Sequence, residues 1–467
     1  MIRLFLKNSL TYSIGSILTR GIGILLVPVY TNYLTPLEYG VIDLFIILAS
    51  IVNLTIALEI NQAVVRFYQD VENENDKIQY VSTAFFFTIF AYVIFLLISF
   101  VFSDAFTIWL LDDLKYQNVF LLAALAIFTS GIFYFSHGQL AWQVMPKHSS
   151  IVSVIHIVIV VGISVYLLVI EGVKIESIFI GQIIGNIVGI AISIYFTSNS
   201  YKAIFVYDKL QEMIRFSFPL VFSSLSIFIA LFIDRLSIKY FLGLDELGVY
   251  GIAYRFAAVT GLVLVGFQSS LTPLIYKYYK EKETPRHISV LFELFMAFMI
   301  FVVVGSILFS KEVVILMSAK EFYSASSVIP LLVIAIFFTN MYIFMPGLEI
   351  EKKIKIIAII SIFGAILNAS LNILLIPVYG INGAAFATLI SAIITFIVRA
   401  RMSQKYYLIQ FKWGGCALGF FIAIISSYLL VNSFDGMGVF SISVKVLFLL
   451  ILTLVIIVLK KEVLQKI

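Results

Sequence analysis

The chain has 467 residues, 62% hydrophobic and only 12% charged, with a net charge of +5 and a mean hydropathy of +1.09. Soluble domains average about 45–50% apolar and about 25% charged residues, so no aqueous core could hide this much apolar surface and lipid must be the solvent. The single cysteine, Cys416, excludes a disulfide framework and argues against a cysteine metal site.

A membrane-crossing helix needs about 20 mostly apolar residues. In chain order such segments fall at 9–34, 40–64, 79–103, 117–143, 149–170, 177–197, 213–242, 246–272, 288–309, 327–348, 355–376, 382–398, 413–432 and 442–459. Arg3 and Lys7 precede the first of them and no small-residue cleavage site follows, so it reads as a retained helix and not a signal peptide. The segments are long and continuously apolar, without the period-2 alternation of barrel strands. The expected fold is all-α, a polytopic membrane protein of about fourteen transmembrane helices.

Lysine and arginine set the orientation. With the N-terminus inside and loops counted alternately, twenty-two of the 31 basic residues fall on the inner side. Four (Lys115, Lys174, Lys311 and Lys320) fall outside, and five (Arg20, Arg235, Lys239, Arg255 and Lys445) lie within spans. This asymmetry is a positive-inside signal, and it favours an even helix number with both termini cytoplasmic. Topology and anionic lipid account for the net basicity, so no nucleic-acid partner is needed. All loops are short, the longest polar stretch being Asp70–Lys77, which leaves no soluble domain to hold an active site.

The halves of the chain echo each other. Residues 33–41 (YLTPLEYGV) match 241–249 (FLGLDELGV) at an offset of 208, Gly172 matches Gly380 at the same offset, and Ala126-Ile127-Phe128 matches Ala335-Ile336-Phe337 one residue further. The offset maps the first span onto the seventh, so the unit is six helices, and an even unit gives parallel repeats. The expected layout is a lobe at 1–200, a second at 201–410 and two added helices at 411–467. Two similar bundles around a central cavity suit alternating access and favour a transporter over an enzyme.

Ionisable residues inside spans cost about 2.5–3.5 kcal/mol each on insertion scales and are functional candidates. Ser13, Ser16 and Arg20 share one face of the first span; Arg235 and Lys239, with Ser224 along the same stripe, share a face of the seventh; Arg255 lies in the eighth. Four such cations around a cavity would attract a polyanion, and the planar arginine fork suits diphosphate. A competing reading has Lys239 and Arg255 snorkelling to an interface and Arg235 pairing with a neighbouring carboxylate. Among carboxylates, Asp43, Glu59 and Asp234 are candidates for proton or sodium coupling. Against this, Asp43 opens the second span and suits its N-terminal dipole. Glu59 lies on a stripe Thr55-Glu59-Gln62-Arg66, and Glu293 enters the ninth span. His137 and His156 could titrate, although a core histidine satisfied by a backbone carbonyl is the commoner state. Pro28, Pro219 and Pro273 are potential hinges. HExxH, P-loop and Cys/His metal spacings are absent, so ATP hydrolysis is unsupported and no cofactor is expected.

Two stretches carry a family resemblance. Thr19-Arg20-Gly21-Ile22-Gly23 with Pro28, followed by residues 33–40, resembles the opening of the polysaccharide-transporter branch of the multidrug/oligosaccharidyl-lipid/polysaccharide (MOP) exporter superfamily. Asn368, Asn372, Pro377, Gly380, Gly383, Ala384, Ala385, Ala387 and Thr388 are similar to that superfamily's hallmark in its eleventh and twelfth helices. The resemblance covers essentially the whole chain and comes nearest the Wzx-type O-antigen flippases. It implies two lobes in a V and an undecaprenyl-diphosphate-linked oligosaccharide as substrate, moved from the cytoplasmic to the periplasmic leaflet of a bacterial inner membrane. A polysaccharide polymerase and a chain-length regulator are the implied partners. It also implies a cavity role for Arg20, the position where lipid II flippases carry an arginine. Their next basic residue is replaced here by Ile24-Leu25-Leu26, which counts against lipid II. The rival readings are a membrane polymerase or ligase of lipid-linked glycans, which typically needs a large outer loop, and a cation-coupled drug exporter of the same superfamily, which a crowd of intramembrane carboxylates would favour.

Overall fold

A computed structural model describes residues 21–411, 413–434 and 438–464. The described helices are α1 (Gly21–Tyr33), α2 (Pro36–Thr55), α3 (Ile60–Asp70), α4 (Glu74–Val101), α5 (Ser103–Leu111), α6 (Gln117–Trp142), α7 (Pro146–Val169), α8 (Ile175–Phe196), α9 (Tyr207–Leu242), α10 (Leu244–Tyr278), α11 (Thr284–Met317), α12 (Ala325–Asn340), α13 (Gly347–Ile350), α14 (Ile354–Gln404), α15 (Trp413–Ser433) and α16 (Val439–Leu464). Among the described residues, nine helices are long and apolar enough to cross a bilayer. One of them, α14, is two crossing segments joined at Gly380, whose φ of 59° and ψ of −142° only glycine adopts without strain. With α1, α9, α10 and α16, the protein has about fourteen crossing helices.

The second span departs from its expected bounds at both ends. It starts at Pro36 and not 40, because Thr35 and Glu38 form a capping box. The Thr35 side chain accepts the Glu38 N–H at 3.3 Å, and the Glu38 carboxylate accepts the Thr35 N–H at 2.8 Å. It ends at Thr55. Leu58 and Glu59 then take left-handed conformations (φ 50° and 53°), and the backbone tightens to Leu58 N–H on Thr55 O and Ile60 N–H on Ala57 O. The continuous helix expected over 40–64 is therefore broken, and Thr55 is separated from the Gln62 and Arg66 of α3.

The internal repeat recurs in the backbone. Helices begin 208 residues apart at Pro36 and Leu244, at Gln117 and Ala325, and at Pro146 and Ile354. Left-handed residues recur at the same spacing: Val144 (φ 56°) with Lys352 (φ 53°), and Gly172 (φ 70°) with Gly380. The turn bonds repeat as well. Val144 N–H donates to Ala141 O and Met145 N–H to Leu140 O, as Lys352 N–H does to Glu349 O and Lys353 N–H to Leu348 O.

By contact density the chain divides into two units, Met1–Phe232 and Ile233–Ile467. In the first, α8 packs on α6 and α7. Gly181 and Gly185, one turn apart on α8, make the α7 contact possible: a Cβ at Gly181 would stand 2.1 Å from Ser164 Oγ, and one at Gly185 2.4 Å from a Val160 methyl. The start of α9 is fastened to α4. Tyr80 donates to Glu212 at 2.6 Å, Lys209 pairs with Asp76, and Ser82 and Thr83 hydroxyls accept the Lys202 and Val206 N–H groups. In the second unit α11 packs against α12, α15 and α16, around a core that includes Phe292, Phe295, Phe337 and Phe344. Lys445 of α16, placed within a span from the sequence, is fully buried and pairs with Glu312 of α11.

Candidate substrate and coupling site

The turn at Gly243 folds α10 back along α9 and brings Asp234 to Tyr250. Asp234 is buried. One carboxylate oxygen accepts the Tyr250 hydroxyl at 2.5 Å and the other accepts the Arg235 backbone N–H at 2.8 Å. Arg235 is also buried, with its guanidinium carbon 4.2 Å from the centroid of the Tyr254 ring. Tyr250 and Tyr254 are one turn apart on α10, so a single face of that helix receives both charged side chains. The ring face supplies negative quadrupole charge to the guanidinium, and the hydroxyl supplies a donor to the carboxylate. Burial of either charge alone would be costly; side by side they limit the net buried charge.

The remaining cations are less enclosed. Lys239, half-buried, lies three residues before the end of α9, within snorkelling reach of an interface. Arg255, half-buried, is eleven residues into α10, about 16 Å along the axis at 1.5 Å per residue. That is roughly mid-depth in a hydrocarbon core about 30 Å thick. Arg20 lies outside the described residues.

A second buried polar cluster lies within α14. A polar chain there runs through the buried asparagines Asn368 and Asn372. Asn368 donates to Thr388 Oγ1 at 3.3 Å and Ser391 Oγ at 3.2 Å, and Asn372 donates to Asn368 Oδ1 at 3.0 Å. This chain ties the two segments of α14 together across the Gly380 kink. Two asparagines one turn apart in an apolar span were its sequence signal, although their partners could not be read. Asn368→Ala leaves the Asn372 amide without its acceptor and should lower stability by about 1–3 kcal/mol, measured as a lower unfolding midpoint in detergent.

Asp43 and Glu59 do not form a common site. Asp43 sits eight residues into α2, past its first turn, so the expected N-terminal dipole role does not apply; the capping box has moved the helix start. It is buried. Glu59 is buried at the left-handed break beyond the other end of α2, at least about 18 Å from Asp43 along the axis. Glu293 is buried in α11. The histidines have structural partners. His137 Nε2 lies 3.1 Å from Ser149 O and 3.0 Å from Ser153 Oγ, and His156 Nε2 lies 2.9 Å from Asn186 Oδ1. Phe133 stacks on both rings. These contacts pin α6, α7 and α8 together. Among the described residues, no group of three or more His, Cys, Asp or Glu side chains could hold a metal ion.

The fold and the sequence agree on a class. Residues 5–279 match the family model described as polysaccharide biosynthesis protein, and residues 219–374 match that of MatE. The chain therefore belongs to the polysaccharide biosynthesis protein family, within the MOP superfamily. A probable low-salt glycan biosynthesis flippase, Agl15, of Haloferax volcanii is 25% identical over 252 residues, 53% of each chain, so the match spans about half the length of that curated relative. Among solved structures, the lipid II flippase MurJ in an inward closed conformation superimposes with a TM-score of 0.79 at 17% identity, covering 97% of this chain and 99% of that one. An inward-facing multidrug resistance MATE transporter gives 0.65 at 15% identity, covering 82% and 93%. A MOP superfamily transporter from Pyrococcus furiosus gives 0.59 at 15%, covering 86% and 94%. At these identities the structures show the fold alone.

Proposed function

We propose that this protein is a flippase for a lipid-linked glycan. The observation that carries the reading is the buried Asp234–Arg235 pair with its tyrosine partners, set in a membrane-spanning chain of a polysaccharide biosynthesis family. Arg235, Arg255, Lys239 and Arg20 bind the diphosphate of an undecaprenyl-diphosphate-linked oligosaccharide, an O-antigen or similar surface unit, while the prenyl tail stays in lipid. Asp234 is the favoured coupling carboxylate for a proton or sodium ion, ahead of Asp43 and Glu59, because its neutralisation would change the charge seen by the adjacent Arg235. Two six-helix lobes, at 1–200 and 201–410 with 411–467 added, alternate access between the leaflets of a bacterial inner membrane, with both termini cytoplasmic. The turns that recur 208 residues apart support that lobe reading. A polymerase and a chain-length regulator would take the product.

The MatE match over residues 219–374 favours one second reading, a cation-coupled drug exporter. Reconstituted vesicles separate the two. With a fluorescent lipid-linked glycan, the wild type should move the headgroup to the opposite leaflet, and Arg20→Ala should abolish movement at unchanged expression. A wild type that leaves the glycan in place but exports a lipophilic cation would replace the flippase reading.

A further inference from the structure

The turns at one end of the second unit carry an excess of positive charge. Residues 277–286 (KYYKEKETPR) hold four cations and two carboxylates, residues 351–355 (EKKIK) three and one, and residues 401–405 (RMSQK) two and none. All nine cations are exposed. Three contacts gather these segments. The Tyr407 hydroxyl donates to Tyr279 O at 2.9 Å, the Ser289 hydroxyl donates to Gln410 O at 2.6 Å, and Lys353 Nζ stands 5.4 Å from the Tyr406 ring centroid. Arg286 has a carboxylate partner, Glu283 at 3.8 Å, with both side chains mostly exposed. Among the described residues, none of the other eight cations forms an ion pair.

The repeat supplies an internal control. At positions 208 earlier, the first unit has 69–78 (QDVENENDKI), 143–147 (QVMPK) and 193–197 (SIYFT), with two cations and four carboxylates in all. There Lys77 pairs with Glu74 at 2.8 Å, and Asp76 pairs with Lys209. The turns at Val144 and Lys352 make the same backbone bonds, so the charge is not required to form them. Loop basicity that orients a chain in the bilayer does not require one unit to carry nearly all of it. The residues between the cations select the ligand. Tyr276, Tyr278, Ile354, Tyr406 and Leu408 are exposed among them, at the ends of crossing helices, where tyrosine sits at headgroup level. A soluble polyanion would leave these side chains in water. An anionic lipid offers phosphate to the lysines and the edge of its acyl region to the apolar groups. Seven of the nine cations are lysine, point charges suited to mobile headgroups more than to one oriented diphosphate.

We infer that this end of the second unit is a binding surface for anionic phospholipid headgroups of the phosphatidylglycerol kind. It goes beyond the flippase reading and does not depend on which substrate is carried. The test uses single-tryptophan forms of the full-length protein in nanodiscs that mix phosphatidylglycerol with phosphatidylcholine. Trp413, three residues after Gln410, reports on this surface, and Trp142, beside the corresponding turn of the first unit, is the control. Brominated phosphatidylglycerol should quench Trp413 with a relative affinity about fivefold or more above that of brominated phosphatidylcholine, the worth of one lysine at an anionic surface. Trp142 should show no preference. Lys280→Glu with Lys282→Glu, which writes in the charges of Glu72 and Glu74, should abolish the preference at an unchanged unfolding midpoint. Salt of about 1 M, where the screening length is about 3 Å, should abolish it without any substitution. Equal quenching of Trp413 by the two lipids overturns the inference and leaves the lysines to an acidic soluble protein. A preference that survives either the double variant or salt, or one that is equal at Trp142, overturns it as well. Displacement of phosphatidylglycerol by millimolar inorganic diphosphate would overturn it in favour of a soluble anion. Glycan movement is read separately in the vesicle assay, so a wild type that moves none sinks the flippase reading and leaves the quenching result standing.

Discussion

Arg235→Ala should slow lipid-linked glycan movement in vesicles by about 30-fold or more, and Arg235→Lys should recover little of it. The size follows from losing a charge-assisted contact in a desolvated place, about 1.5–3 kcal/mol, with tenfold for each 1.4 kcal/mol. The failure of lysine follows from geometry. The guanidinium carbon stands 4.2 Å from the Tyr254 ring centroid, and a planar fork held there could meet two oxygens of a diphosphate at once. An ammonium is a point charge that holds its water more tightly and cannot bind two phosphate oxygens in one plane. The same loss should appear as weaker binding of undecaprenyl diphosphate without any sugar, which assigns the contact to the diphosphate and not to the glycan. Full transport by the alanine variant would remove Arg235 from the site.

The second large effect is on stability. Lys445→Ala should destabilise the protein by about 3–5 kcal/mol, because it strands Glu312 beside α16 with its charge uncompensated. Glu312 already has one carboxylate oxygen without a hydrogen-bond partner, so Lys445 is its neutralising contact. The control is a double substitution, Lys445→Met with Glu312→Leu, which replaces the pair by packed apolar groups and should recover most of the loss. Unfolding midpoints in detergent decide it: equal midpoints for the single variant and wild type would mean that the pair contributes nothing to holding α16 on α11.

What could be read from the sequence depended on the range of the interaction. Lipid imposes one requirement on every span, a run of about 20 apolar residues, so α4, α6, α7 and α8 were legible to within a few residues. The true start of α2 was also written locally, in Thr35-Pro36-Leu37-Glu38, but the apolar run drew the boundary inward. The break at Leu58–Glu59 carried no such mark, since neither residue is glycine or proline. Asp234 and Arg235 were visible as charges in a span. Their tyrosine partners depended on the turn at Gly243, which no spacing rule supplies. The ion pair between Arg399 of α14 and Glu349 of α13 was not legible either, because two charges 50 residues apart near helix ends have no local signature.

The paired turns at Val144 and Lys352 have a consequence for how the chain reaches its membrane. Every hydrogen bond named in them spans three to five residues: Val144 to Ala141, Met145 to Leu140, Lys352 to Glu349, Lys353 to Leu348. A hairpin closed so locally enters the bilayer with the backbone of its turn already paired, and distant side chains are left to add only single contacts, such as Gln69 on Trp142 O and Ser403 on Gly347 N–H and Met345 O. Insertion can then proceed two helices at a time, α6 with α7 and, later in synthesis, α12 with the first segment of α14, before the longer-range contacts at Asp234 or Lys445 exist.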